Sequence, residues 1–145
     1  MSKIKRFEDL KGWQKARQLA NQVYDLTSCS MFRRDVRLRN QIQGAAGSVM
    51  HNIAEGFDAG TDAEFIRFLT YARRSASEVQ SQLYLALDRG YITERNLHDT
   101  YALATETKRL INGLIAYLRR SNRVKETALE YLTDDYLTDD YLTDD

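Results

Sequence analysis

The chain has 145 residues, no proline, seven glycines, one cysteine, and 21 basic side chains balanced by 21 acidic ones. One domain's worth of proline-free chain favours long helices joined by short loops. A lone cysteine excludes an internal disulfide, no apolar run approaches the roughly 20 residues that cross a bilayer, and the polar start Met1-Ser2-Lys3-Ile4-Lys5-Arg6 has no secretory character, so a cytoplasmic protein without a membrane partner is expected.

The first helix is predicted over residues 7–28, behind a basic arm at 1–6. Leu10, Trp13, Ala16, Ala20, Val23 and Leu26 recur at three- and four-residue steps, as a single buried stripe requires. Thr27-Ser28-Cys29-Ser30 ends it with small polar side chains that compete for backbone hydrogen bonds. A second helix is predicted over 33–55. It opens on Arg33, Arg34, Arg37 and Arg39 and then carries no charge over residues 40–54. The five small residues Gly44-Ala45-Ala46-Gly47-Ser48 suit close approach by a neighbour, which makes this the most enclosed helix. Gly56 is placed as its C-terminal stop.

Thr61 followed by Glu64 and Phe65 reads as a capping box that starts the third helix. Phe65, Phe68, Leu69, Ala72, Ala76, Val79, Leu83 and Ala86 form its stripe, and Gly90 is its C-terminal cap. Thr93 caps the fourth helix, with Ile92 and Leu97 as a hydrophobic staple. Leu97, Tyr101, Ala104, Leu110 or Ile111, Leu114 and Leu118 face inward. These elements predict an all-α, up-and-down antiparallel four-helix bundle over residues 7–121, roughly 30 to 40 Å long at 1.5 Å per residue.

Residues 122–145 form an acidic tail. Tyr131-Leu132-Thr133-Asp134-Asp135 repeats at 136–140 and 141–145. A five-residue period matches neither helix nor strand, so the tail is expected to be flexible, with the last helix fraying over residues 122–129. The neutral total conceals a division of charge. Residues 1–125 hold every base and 13 acids, a surplus of eight, and residues 126–145 hold eight acids and no base.

Several segments together resemble one small bacterial family. They are Phe7-Glu8-Asp9-Leu10 with Trp13, Ala16 and Leu19; Gln41-Ile42 with Ala45-Ala46 and Ser48; Asn52-Ile53-Ala54-Glu55-Gly56; Glu64-Phe65 with Phe68-Leu69, Ala72-Arg73, Ser75 and Glu78; Gly90-Tyr91-Ile92; and Leu110-Ile111-Asn112-Gly113-Leu114-Ile115. Over about residues 7–118 the chain is similar to the four-helix-bundle proteins encoded in intervening sequences of 23S ribosomal RNA genes. The resemblance implies a ring-like homopentamer and kinship with the accessory protein of diversity-generating retroelements, which binds a reverse transcriptase and nucleic acid. It implies no enzymatic activity and no cofactor. Relatives often carry proline where this chain has Val49-Met50-His51, so its second helix should be straighter. The tail is outside the family pattern.

Catalytic chemistry finds little footing in the residues. His51 and His98 lie on different helices without a ligand-spaced neighbour, and His51 reads as a partly buried imidazole. Cys29 has no adjacent histidine or lysine to lower its pKa. Glu55 and Glu78 lack the Glu-x-x-His pairs of bundle metal sites. Asn52 and Glu55, one turn apart, are read as structural groups that pin the following loop or a neighbouring subunit, with Arg73 as a partner for Glu55 or Glu78.

Arginine and lysine carry the functional expectation, because the planar guanidinium matches phosphate geometry. The candidate nucleic-acid-binding residues are Lys3, Lys5, Arg6, Arg33, Arg34, Arg37, Arg39, Arg67, Arg74, Arg119, Arg120 and Arg123. Their competing role is pairing with Asp35, Asp62, Glu64 and Glu78. The leading expectation is a non-enzymatic oligomer that binds structured RNA or DNA. The alternative is a protein-only scaffold or accessory subunit that binds a partner such as a reverse transcriptase.

Overall fold

In the computed structural model, residues 4–136 are described, with side chains through Ser121. A 3-10 turn at Phe7–Asp9 leads into α1 (Lys11–Thr27), followed by the short α2 (Ser30–Arg34), α3 (Val36–Phe57), α4 (Asp62–Asp88) and α5 (Glu94–Tyr136). The four long helices pack around a ring in which α1 touches α3, α3 touches α4, α4 touches α5, and α5 returns to α1. With short connections this is the expected antiparallel bundle.

The stripes predicted for α1 and α4 meet in the core, joined by Leu19 and by Ile42, Ala46 and Val49 of α3, which the predicted stripes do not include. Ala16, Leu19 and Val23 of α1, Ile42, Ala46 and Val49 of α3, and Leu69, Ala72, Ala76, Val79 and Leu83 of α4 are fully buried. On α5 the inward stripe sits one residue away from the predicted line at several positions. Thr100, Ala104, Thr107, Ile111, Ile115 and Leu118 are the buried residues there. The two threonines are accommodated because Thr107 Oγ1 donates to the Leu103 carbonyl (2.8 Å) and Thr100 Oγ1 accepts from Gln22 Nε2 (2.7 Å). Buried hydroxyls need such partners.

Local capping chemistry sets the bundle's two ends. Thr61 Oγ1 accepts from the Glu64 N–H (3.2 Å), while the Glu64 carboxylate turns to Arg67 (2.7 Å). Thr93 and Asn96 cap α5 reciprocally, at 3.0 and 3.1 Å. Gly90, at φ +75°, ends α4 in the left-handed region. The Tyr91 N–H reaches the Ala86 carbonyl (2.9 Å) and the Gly90 N–H reaches that of Leu87 (2.9 Å), a Schellman motif.

Four expectations are corrected. The second predicted helix is two helices broken at Asp35, whose Oδ1 accepts from the Leu38 N–H (3.1 Å) and starts α3 afresh. Gly56 lies inside α3 and is buried; a Cβ there would meet Phe68 Cβ at 2.8 Å and Phe65 Cδ1 at 2.9 Å, so the glycine permits α4 to approach. Gly44 has no neighbour within 4 Å of an added Cβ, and Gly47 meets only its own helix's His51 ring, at 3.7 Å. α3 is therefore open along Gly44 and Gly47, although it packs against α1, α2 and α4 as the expected enclosure requires. Finally, α5 continues through residues 122–129 and the first Tyr-Leu-Thr-Asp-Asp repeat to Tyr136. Once a helix is nucleated, each further residue adds one hydrogen bond, so extension is favoured over a fresh start. Residues 137–145, and the flexibility expected of them, lie outside the described residues.

Candidate nucleic-acid interface

Of the twelve basic candidates, nine of the described ones lie toward one or other end of the bundle. Arg33, Arg34, Arg37 and Arg39 cluster where α2 meets α3. Lys5, Arg6, Arg67, Arg119 and Arg120 lie toward the opposite end, where α4 begins and the close packing of α5 ends, and Arg74 lies between. Arg89, at the C-cap of α4, marks the first end, and Arg67 the second. Twenty-two residues of helix separate them, about 33 Å at 1.5 Å per residue. One copy therefore does not present all its arginines as one surface. Lys3 and the side chain of Arg123 lie outside the described residues.

Pairing separates the two ends further. Arg6 contacts Glu8 (3.1 Å) and Arg67 contacts Glu64 (2.7 Å). Arg67 also lies over the Phe68 and Tyr71 rings, at 5.2 and 5.8 Å, and its partners raise its pKa further, the Glu64 hydrogen bond foremost. Such a side chain is already committed. Arg33, Arg34 and Arg37 are exposed, and no carboxylate among the described residues forms an ion pair with them. Arg74, Arg119 and Arg120 also have no ion pair there, but they do not share the compact framework of the α2–α3 corner.

Two members of that framework, Phe32 and Tyr91, are residues the charge pattern does not single out. Phe32, fully buried, anchors α2 in the core and packs on the Tyr91 ring, with centroids 5.2 Å apart. The Tyr91 hydroxyl donates to Asp35 Oδ2 (3.0 Å). Tyr91 is positioned by the Schellman turn after α4, so three separate elements meet at one carboxylate. The Leu38 N–H, the Tyr91 hydroxyl and, more weakly, Arg89 and Arg37 hold the Asp35 carboxyl below the ordinary aspartate range. Arg39 Nη1 donates to the Arg33 carbonyl (3.0 Å) and ties α2 to α3. Arg39 is thus a brace, while Arg33, Arg34 and Arg37 are the displayed groups. The positive end of the α3 dipole adds to their field. Met31 and Val36 remain 58% and 53% exposed within the same short stretch.

The chain belongs to the 23S rRNA-intervening sequence protein family. Its family model matches residues 8–113. Among solved structures, this intervening-sequence protein is similar to a protein of unknown function from the S23 ribosomal protein family of Bacteroides thetaiotaomicron. The two share 25% identity with a TM-score of 0.67, over 72% of this chain and 97% of the other. No curated protein matches. The matched region includes the corner and ends before Arg119, Arg120 and the acidic repeats.

Elsewhere the intervening-sequence protein differs from expectation in its polar groups. Asn52 Nδ2 donates back to the Ser48 carbonyl (2.9 Å) and hydroxyl (2.8 Å) of its own helix, instead of pinning the loop. Ser48 in turn lies 3.0 Å from the Ser75 hydroxyl of α4. Arg73 reaches Asn112 Oδ1 (2.8 Å), neither Glu55 nor Glu78. Glu55, Glu78 and His51 are all exposed, so the carboxylates form no core pair and the imidazole is not buried. A contact between helices 39 residues apart is invisible to spacing arguments. Among the described residues no cluster of three or more His, Cys, Asp or Glu is arranged to hold a metal ion, and no helix is long and apolar enough to cross a membrane.

Proposed function

We propose that this protein is a non-enzymatic helical-bundle protein that binds the phosphate backbone of structured RNA through its α2–α3 corner. The observation that carries the reading is the exposed run of Arg33, Arg34 and Arg37, none of them in an ion pair among the described residues, on a corner braced by Phe32, Asp35, Arg39 and Tyr91. A braced backbone holds the three Cα positions in one arrangement, so less chain ordering opposes phosphate binding. Arg89, adjacent to Asp35, extends the surface to a fourth cation. Three or four phosphate contacts give a log–log salt slope of about −2 to −4. Equilibrium binding of a hairpin RNA across a salt series tests this, and a flat dependence refutes it.

A second reading has its own observation. Tyr24, Gln43, Gly44, Gly47, His51 and Glu55 line a groove of about 400 Å³ between α1 and α3. Bare glycines beside the 53%-exposed Tyr24 suit a helix of a protein partner or of another copy in the expected homo-oligomer. Under this scaffold reading the partner is retained after nuclease treatment, and Gly44→Gln releases it. Loss of the partner on nuclease digestion instead favours the RNA reading.

A further inference from the structure

The acidic repeats and the α2–α3 corner carry complementary charge, yet α5 holds them apart. The corner contacts Tyr91, three residues before α5 begins. Tyr136 ends the described helix 42 residues after Glu94, about 63 Å away along its axis. Residues 137–145 span at most about 32 Å when fully extended. Within one copy, the segment therefore falls short of Arg33, Arg34 and Arg37 by a wide margin. A second copy has no such restriction.

We propose that the segment 137–145 of one copy docks on the α2–α3 corner of another, so that the protein competes with polyanions for its own cationic surface. The segment reads Leu-Thr-Asp-Asp-Tyr-Leu-Thr-Asp-Asp, four carboxylates interleaved with Leu137, Tyr141 and Leu142. The corner offers the matching chemistry. Arg33, Arg34 and Arg37 are exposed and form no ion pair among the described residues, Arg37 feeling Asp35 only weakly, and Met31 and Val36 are exposed between and beside them. Residues 30–39 contain four arginines and a single acid, Asp35, whose two oxygens are engaged by Leu38 and Tyr91. The segment therefore meets cations and apolar side chains without an opposing free carboxylate in that stretch. Two copies that exchange segments reciprocally close into a dimer, whereas one-way docking links successive copies head to tail. Either way the contact requires the corner to bind anions, as the proposed function does, but it does not require RNA to be the ligand.

The probe is a fluorescein-labelled peptide of residues 137–145, followed by anisotropy. The receptor is the full chain carrying Asp139→Asn, Asp140→Asn, Asp144→Asn and Asp145→Asn, so that its own tails do not compete. The peptide is expected to bind saturably at low salt and to be released as the Debye length shortens. Adding Arg33→Gln, Arg34→Gln and Arg37→Gln weakens it about tenfold, the scale of three exposed ion pairs. Adding Met31→Ser and Val36→Ser instead weakens it several-fold with charge unchanged. Adding Arg119→Gln and Arg120→Gln changes little. Absence of saturable binding, equal affinity for the triple-Gln receptor, or loss only in the Arg119/Arg120 receptor overturns the inference. A hairpin RNA is titrated into the same receptors. Retained, arginine-dependent RNA binding alongside peptide failure overturns the tail contact and leaves the proposed function standing. The opposite result supports the tail contact and removes the RNA reading.

Discussion

Substituting alanine at Gly56 and at Gly113 should move stability in opposite directions, although both glycines lie within helices. Alanine is favoured over glycine in a helix interior by about 1 kcal/mol. At Gly113 an added Cβ meets nothing within 4 Å, so Gly113→Ala should realise that gain almost fully. At Gly56 the new methyl would stand 2.8 Å from Phe68 Cβ, 2.9 Å from Phe65 Cδ1 and 3.3 Å from the Phe65 carbonyl. Two of those atoms move only if the backbone of α4 moves. Overpacking of this kind costs about 1–3 kcal/mol, toward the upper half where the neighbour is anchored. After the propensity gain, Gly56→Ala should destabilise by about 1–2 kcal/mol, lowering the melting temperature by roughly 3–8 °C. Gly113→Ala should raise it by roughly 3–5 °C. Urea denaturation with an unchanged m-value checks that both effects are changes of stability and not of the surface exposed on unfolding. If Gly56→Ala is as stable as the parent, the close approach of α3 and α4 at this position is wrong.

Other perturbations separate the corner from the core. Gln80→Ala removes donors to the Tyr101 carbonyl and Thr105 Oγ1 and the acceptor of Lys108 Nζ, so it should cost about 1–3 kcal/mol; a double mutant with Lys108→Met should cost less than the sum of the two single changes. Asp35→Asn should weaken the corner in a pH-dependent way. Because the folded carboxyl lies below its ordinary value, its contribution is present above about pH 4 and is lost as pH falls through the lower folded value. The difference in melting temperature between parent and Asp35→Asn should therefore narrow on acidification, and a gap that widens contradicts the assignment. Gly44→Ala should stabilise a dissociated chain, so any accompanying loss of mass in light scattering would locate a self-contact in the α1–α3 groove.

The parts of the fold legible in sequence are those written in local chemistry. Thr61, Gly90 and Thr93 cap where expected because each cap depends on neighbours within a few residues. The buried stripes emerge because packing imposes their period. A charged residue among arginines, Asp35 reads equally well as helix surface; the signal for a break is the N-cap preference of aspartate beside a new apolar run of Val36 and Leu38. Gly56 reads as a stop in sequence because its partners, Phe65 and Phe68, belong to the next helix. The arginines were visible as a class, but their availability was not. Glu64 engages Arg67, Asn112 engages Arg73, and Arg39 braces a backbone carbonyl, and each choice depends on rotamers or on distant chain. Arg89, Met31 and Val36 joined the candidate surface only after the α2–α3 corner and the Schellman turn brought their segments together.

The most direct test is the salt dependence of RNA binding by the parent, by the Arg33→Gln/Arg34→Gln/Arg37→Gln variant and by the Arg119→Gln/Arg120→Gln variant. The account predicts that the first substitution set flattens the log–log slope by about 2–3, as three lost phosphate contacts require, while the second leaves it nearly unchanged. A parent slope near zero, or an unchanged slope after loss of the three corner arginines, would contradict it.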